Sequence, residues 1–176
     1  NEWIIPNLLK WTDVSEDVAR LSLRKEALYR EVVARDGLQV LPGVVPFLER
    51  LRTAGIAFCV GSSTHRANIE AVLDRLGMQG IFNERVTAED VTQGKPHPEV
   101  FLKAAQRLGV PPQACVVFED AFAGIEAAKA GGMKVVGVAT THPEEVLRPK
   151  VDHVVRRLDE LSVADLHQLV EGGRLY

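Results

Sequence analysis

Two adjacent carboxylates, Glu119 and Asp120, follow the short apolar run Cys115 to Phe118 and precede an Ala-rich stretch closed by Gly131 and Gly132. The run reads as a buried strand, and the Ala-rich stretch as a helix. Ligands of open parallel sheets bind beyond the carboxyl ends of the strands. An acid pair at such an end suits a hard divalent cation such as Mg²⁺, which takes oxygen ligands and often only one or two carboxylates. Asp120 as the N-cap of the following helix fits the same pattern. The residues of this stretch leave both readings open.

Two further residues reach the same edge of the expected sheet. Ser62 follows the apolar run Ile56 to Val60 and precedes a helix-like segment, where a hydroxyl and free N–H groups suit an anion such as phosphate. Lys95 lies in the loop Gly94-Lys95-Pro96-His97-Pro98, whose two prolines restrict the backbone around one long cationic side chain. Taken singly, Ser62 is better explained as a helix cap and Lys95 as a solvated lysine. Together, a hydroxyl donor, a fixed cation and an acid pair are the parts phosphoryl transfer uses for electrostatic stabilisation. A nucleophile is the part not represented.

The elements that must position these groups alternate from residue 44 onward. Expected helices span 44–54, 65–77, 98–108, 121–131 and 163–170, most of them followed by Gly. Expected strands span 56–60, 85–87, 115–118, 134–138 and 153–155. Short connections between strands and helices in alternation predict a parallel sheet with helices on both faces. Right-handed crossovers then bring the strand ends to one edge. Residues 1–36 read as helical, with Val18, Leu21, Leu28, Val32 and Val33 at helical spacing. The shift near residue 40 marks a domain boundary, giving a helical segment over 1–40 and an α/β core over 41–176.

Composition excludes several function classes. The 176 residues are 46% apolar and 26% charged, as for an ordinary globular domain, and the net charge of −3 gives no reason to expect nucleic acid or an anionic membrane as partner. No apolar run is long enough to span a bilayer, and no signal peptide is evident at the first residues. Cys59 and Cys115 read as small buried hydrophobes of a reducing compartment, so a cytoplasmic protein is expected; a monomer is the expected state.

The segments FCVGSST, GKPHPEVFLKAAQRLGV and VVFEDAFAGIEAAKAGG resemble the second, third and fourth motifs of the haloacid dehalogenase-like hydrolases. The likeness runs over roughly residues 12–160. It is to the helical-cap branch that contains β-phosphoglucomutase and small sugar-phosphate phosphatases. It implies a Rossmann-like core with part of a helical cap at 1–40, and a Mg²⁺-dependent phosphohydrolase of small phosphorylated metabolites working through an aspartyl-phosphate. By the resemblance Ser62, with Ser63, binds the phosphoryl oxygens, Lys95 neutralises charge on nucleophile and phosphoryl group, and Glu119 and Asp120 hold Mg²⁺. Lys25, in the stretch Arg24 to Tyr29, resembles the cap lysine that reaches substrate. His65 and His97 receive no role.

The family's first motif, DxDG, carries the nucleophile, and no Asp-x-Asp occurs in this sequence. The chain also opens without Met and already within a segment resembling the cap. The expectation is an upstream segment whose strand lies between the strand ending at Ser62 and the one ending at Glu119. Those two strands are then expected to be unpaired with each other. Alternatives to a phosphatase are a sugar-phosphate mutase of the β-phosphoglucomutase type and a non-catalytic phosphate- and metal-binding module. A halide-displacing enzyme fits less well, because that chemistry does not need the acid pair.

Overall fold

A computed structural model describes residues 4–173. The chain divides into two compact units, one comprising the described residues through Gln39 with His65–Gln79, the other Val40–Thr64 with the described residues from Gly80 onward.

The first unit is built on helix α1 (Ser15–Asp36) and helix α3 (Arg66–Arg75), which pack on each other. Val18 and Val33 of α1, and Ile69 and Leu73 of α3, are buried. Leu28 and Val32, expected on the apolar face of α1, are more than 40% exposed. Within this unit α1 has a single long helix against it, so it buries a narrow stripe and leaves the flanks of its apolar face outside. A polar group lies inside that stripe. Glu26 accepts from Asn68 Nδ2, and Arg30 donates to Asn68 Oδ1 at 2.9 Å. A short π-helix, Ile4–Leu9, precedes α1, which starts at Ser15.

The second unit alternates strand and helix. Its elements are α2 (Val44–Thr53), β1 (Cys59–Gly61), β2 (Glu84–Val86), α4 (Glu99–Leu108), β3 (Val116–Glu119), α5 (Phe122–Ala130), β4 (Lys134–Val138), α6 (Glu144–Leu147), β5 (His153–Val155) and α7 (Val163–Val170). All pairings are parallel. β1 pairs with β2, and β3, β4 and β5 pair in that order. The strands thus form two ladders, and no backbone hydrogen bonds join β1 to β3 among the described residues. The core gathers Val86, Val100, Phe101, Ala104, Ala105, Val117, Ile125, Ala127, Ala128, Val135 and Leu147. α4 contacts β1 and β2, whereas α5 contacts β3 and β4.

The expected segment 56–60 is ordered as a strand only over Cys59–Gly61, and its ladder continues one bond further through Ser62 N–H to Val86 O at 2.9 Å. Between the strands expected at 134–138 and 153–155, where no helix is expected, lies the single-turn helix α6, whose Leu147 is fully buried. Cys59 and Cys115 are only partly buried and both are free thiols; burial pushes the Cys59 thiol up to about 11. No described helix is long and apolar enough to cross a membrane.

Candidate active site

The carboxyl ends of β1 and β3 converge on one ammonium. Lys95 Nζ donates to Gly61 O, the last residue of β1, at 3.2 Å, and to Glu119 Oε1, the last residue of β3. The Lys95 and Glu119 side chains are only 16% and 11% exposed. An ion pair this enclosed is weakly screened, so each charge depends on the other. The Phe101 ring lies beneath the ammonium, 4.6 Å from Nζ to the ring centroid, and adds a cation–π contact. Lys95 is therefore not a solvated lysine.

The sequence around these groups is shaped to admit them. A Cβ on Gly61 would stand 3.1 Å from the Phe101 ring, so glycine there lets β1 approach the aromatic floor under Lys95. A Cβ on Gly124, in the first turn of α5, would overlap the Glu119 carboxylate, well inside 3.0 Å. Glycine at 124 lets that carboxylate rest against the helix at its N-terminal end, where negative charge is favoured.

Asp120 does not cap α5. The N-cap is Ala121, without a side-chain cap bond, and Asp120 Oδ2 instead accepts from the hydroxyls of Thr140, at 3.4 Å, and Thr141. These threonines follow β4, so the two neighbouring strand ends together orient the second acid. Ser62 does not cap α3 either, since the N-cap there is His65. Ser62 Oγ accepts from Thr64 N–H at 3.2 Å, closing a tight turn directly after β1. Ser63 Oγ accepts from the backbone N–H of Lys95 at 3.4 Å and ties that turn to the Lys95 loop. The Lys95–Pro96 peptide bond is cis.

The second unit thus brings together Ser62, Ser63, Lys95, Glu119 and Asp120 at one strand edge. Lys25 belongs to the first unit, where its ammonium pairs with Glu26 Oε1 at 2.6 Å and its side chain is 58% exposed. His65 heads α3, and His97 Nδ1 accepts from Glu99 N–H at 3.3 Å. Among the described residues no three or more His, Cys, Asp or Glu side chains are grouped to hold a metal ion. Sequence reasoning missed Phe101, Thr140 and Thr141. Exposed loop threonines and an apolar helical Phe carry no signal of a site until the strands place them. Gly124 was visible as part of a motif, but its steric duty was not.

Residues 5–132 match the family model described as haloacid dehalogenase-like hydrolase. The chain belongs to the haloacid dehalogenase-like hydrolases. It is 37% identical over 176 residues to the Arabidopsis thaliana protein named 5-amino-6-(5-phospho-D-ribitylamino)uracil phosphatase, chloroplastic, covering 97% of this chain and 45% of that protein. Among solved structures it is similar to a β-phosphoglucomutase from Clostridium difficile, with TM-score 0.79 and 29% identity over 93% of this chain and 71% of the other. A family IA hydrolase of the group from Entamoeba histolytica shares the fold, with TM-score 0.88 at 24% identity over 97% of this chain and 78% of the other. The α/β fold with parallel strands is that of this haloacid dehalogenase-like family, and the segments that resemble its second, third and fourth motifs meet at Lys95. The chain spans less than half the length of the plant relative.

Proposed function

We propose that the whole protein is a Mg²⁺-dependent phosphohydrolase of small phosphorylated metabolites, sugar phosphates or related polyol phosphates. The observation that carries this reading is the Lys95 ammonium, which spans from Gly61 O at the end of β1 to Glu119 Oε1 at the end of β3. A cation fixed between two strand ends supplies positive charge where a phosphoryl group gains negative charge in transfer. The turn Ser62-Ser63-Thr64 lies beside it, and Ser62 would hydrogen-bond the phosphoryl oxygens. The names of the plant phosphatase and the bacterial mutase both point to small phosphorylated substrates.

The nucleophile belongs, on this reading, to an upstream strand running between β1 and β3. The absence of a ladder between those strands supports that arrangement. Its carboxylate would attack phosphorus as the P–O bond to the alcohol breaks, and water would then release phosphate from the acyl-phosphate. Lys95 would balance the charge of that carboxylate and of the phosphoryl group.

The donor set suits Mg²⁺, which keeps several waters and needs few protein ligands. Asp120 would be the main protein ligand, its Oδ2 already oriented by Thr140 and Thr141, while Glu119 is engaged by Lys95. When bound, the ion would offset charge on the phosphoryl group. The test is hydrolysis of a generic phosphate ester by the full protein with Mg²⁺ and in excess chelator. Undiminished turnover in chelator overturns the reading. The second reading is a mutase, which the similarity to β-phosphoglucomutase supports, and product analysis separates the two: released phosphate marks the hydrolase, an isomeric sugar phosphate the mutase.

A further inference from the structure

Helix α4 carries two stripes. Val100, Phe101, Ala104 and Ala105 face the core. On the other side, Glu99, Lys103 and Arg107 recur every four residues, so they line one face of the helix. All three reach the chain that leads into Lys95. Glu99 Oε2 accepts three hydrogen bonds, from Thr92 N–H at 3.0 Å, Thr92 Oγ1 at 2.9 Å and Gln93 N–H at 2.9 Å. Glu99 Oε1 accepts from Lys103 Nζ at 2.6 Å, and the same ammonium donates to Asp90 O at 2.6 Å. Arg107 donates to Asp90 Oδ1 at 2.7 Å and to the backbone oxygen of Arg85 in β2. Asp90 in turn accepts from the N–H of the fully buried Thr87 at 2.8 Å.

A glutamate in the first turn of a helix is favoured by the backbone dipole wherever it points. That general preference does not explain three donors from two consecutive residues meeting one oxygen. Thr92 and Gln93 stand three and two residues before Lys95. Their backbone would otherwise be exposed loop, which keeps much of the conformational freedom of an unfolded chain. The same helix places Phe101 under the Lys95 ammonium, so α4 holds both the approach to Lys95 and the floor beneath it. Hydrogen bonds to the charged form, chiefly from Lys103, hold the Glu99 carboxyl at about 2, so it remains an ionised acceptor throughout the neutral range.

We propose that Glu99 is a positioning residue: it pins Thr92 and Gln93 to α4 and thereby fixes where the Lys95 ammonium stands between β1 and β3. This inference rests on the role proposed for Lys95. The test uses the full protein and a generic phosphate ester, with Glu99→Ala, Glu99→Gln, Lys95→Ala and the double variant Lys95→Ala/Glu99→Ala. Glu99→Ala is expected to lower kcat about tenfold with KM within twofold, and to speed amide hydrogen exchange at Thr92 and Gln93 while β4 exchange stays unchanged. In the Lys95→Ala background, Glu99→Ala is expected to cost less than twofold more, because the group it positions is gone. Glu99→Gln, which keeps an acceptor oxygen and remains available if the alanine variant does not fold, is expected to recover most of the turnover and protection. Additive losses in the double variant, or unchanged exchange at Thr92 and Gln93, overturn the positioning role. If Lys95→Ala itself leaves turnover intact, the proposed function fails, and the exchange data still decide whether Glu99 pins the loop.

Discussion

Gly124→Ala sets two physical effects of opposite sign against each other. By helix propensity alone the change is favourable by up to ~1 kcal/mol, since Ala is the best helix former and Gly among the worst. In this fold the added Cβ would overlap the Glu119 carboxylate, so Glu119 must swing away from Lys95. Both side chains are less than 20% exposed, and parting such a pair leaves an enclosed ammonium with Gly61 O as its remaining hydrogen-bond partner among the described residues. Breaking a buried pair costs on the order of 3–5 kcal/mol, so the net expectation is a loss of about 2–4 kcal/mol. For a chain of this size that corresponds to a fall in Tm of roughly 5–15 °C. Thermal and urea unfolding of parent and variant measure it. The same substitution in a Glu119→Ala background meets no carboxylate, and there the sign should invert to a small stabilisation. A Gly124→Ala variant more stable than the parent, with unchanged turnover, would refute the steric reasoning and the weight given to the Lys95–Glu119 pair.

Lys95→Ala should lower turnover of the full protein by on the order of a hundredfold, as for loss of a donor aimed at developing charge; steady-state kinetics check it. Lys25→Ala should act on KM rather than kcat, if the cap-lysine role holds, and an unchanged KM removes Lys25 from the site. Asp120→Ala should remove most Mg²⁺-dependent activity while circular dichroism and Tm stay near those of the parent. Low pH should loosen the tether on α4. Asp90, held low chiefly by Arg107, and Glu99, held at about 2 chiefly by Lys103, both have folded-state values below their unfolded values of about 4. The stability they contribute is therefore complete above pH ~4.5 and lost as pH falls toward 2. Tm followed over that range should drop less steeply in Asp90→Asn than in the parent.

The order of elements in the second unit was legible in the sequence, because alternation of short apolar runs with amphipathic stretches, most of them closed by glycine, has few other solutions. Gly37, Gly55, Gly77, Gly109 and Gly132 all adopt positive φ just beyond helix ends, as their positions suggested. The edge on which Ser62, Lys95, Glu119 and Asp120 meet was legible for the same reason, since parallel strands with right-handed crossovers send every strand end to one side; the family was legible from the three motif segments instead. Local pattern could not show that α3 packs with α1 while the strand just before it stays with the sheet, because apolar spacing says that a face is buried, not against what. Nor could it show what each charge faces. As sequence, Glu119 and Asp120 are an adjacent pair of like acids. In the fold Glu119 is the last residue of β3 and meets Lys95, whereas Asp120, the first residue beyond the strand, meets Thr140 and Thr141. The partners come from segments some 20 residues away, and only the pairing of β3 with β4 and the seat of Lys95 over Phe101 bring them within reach.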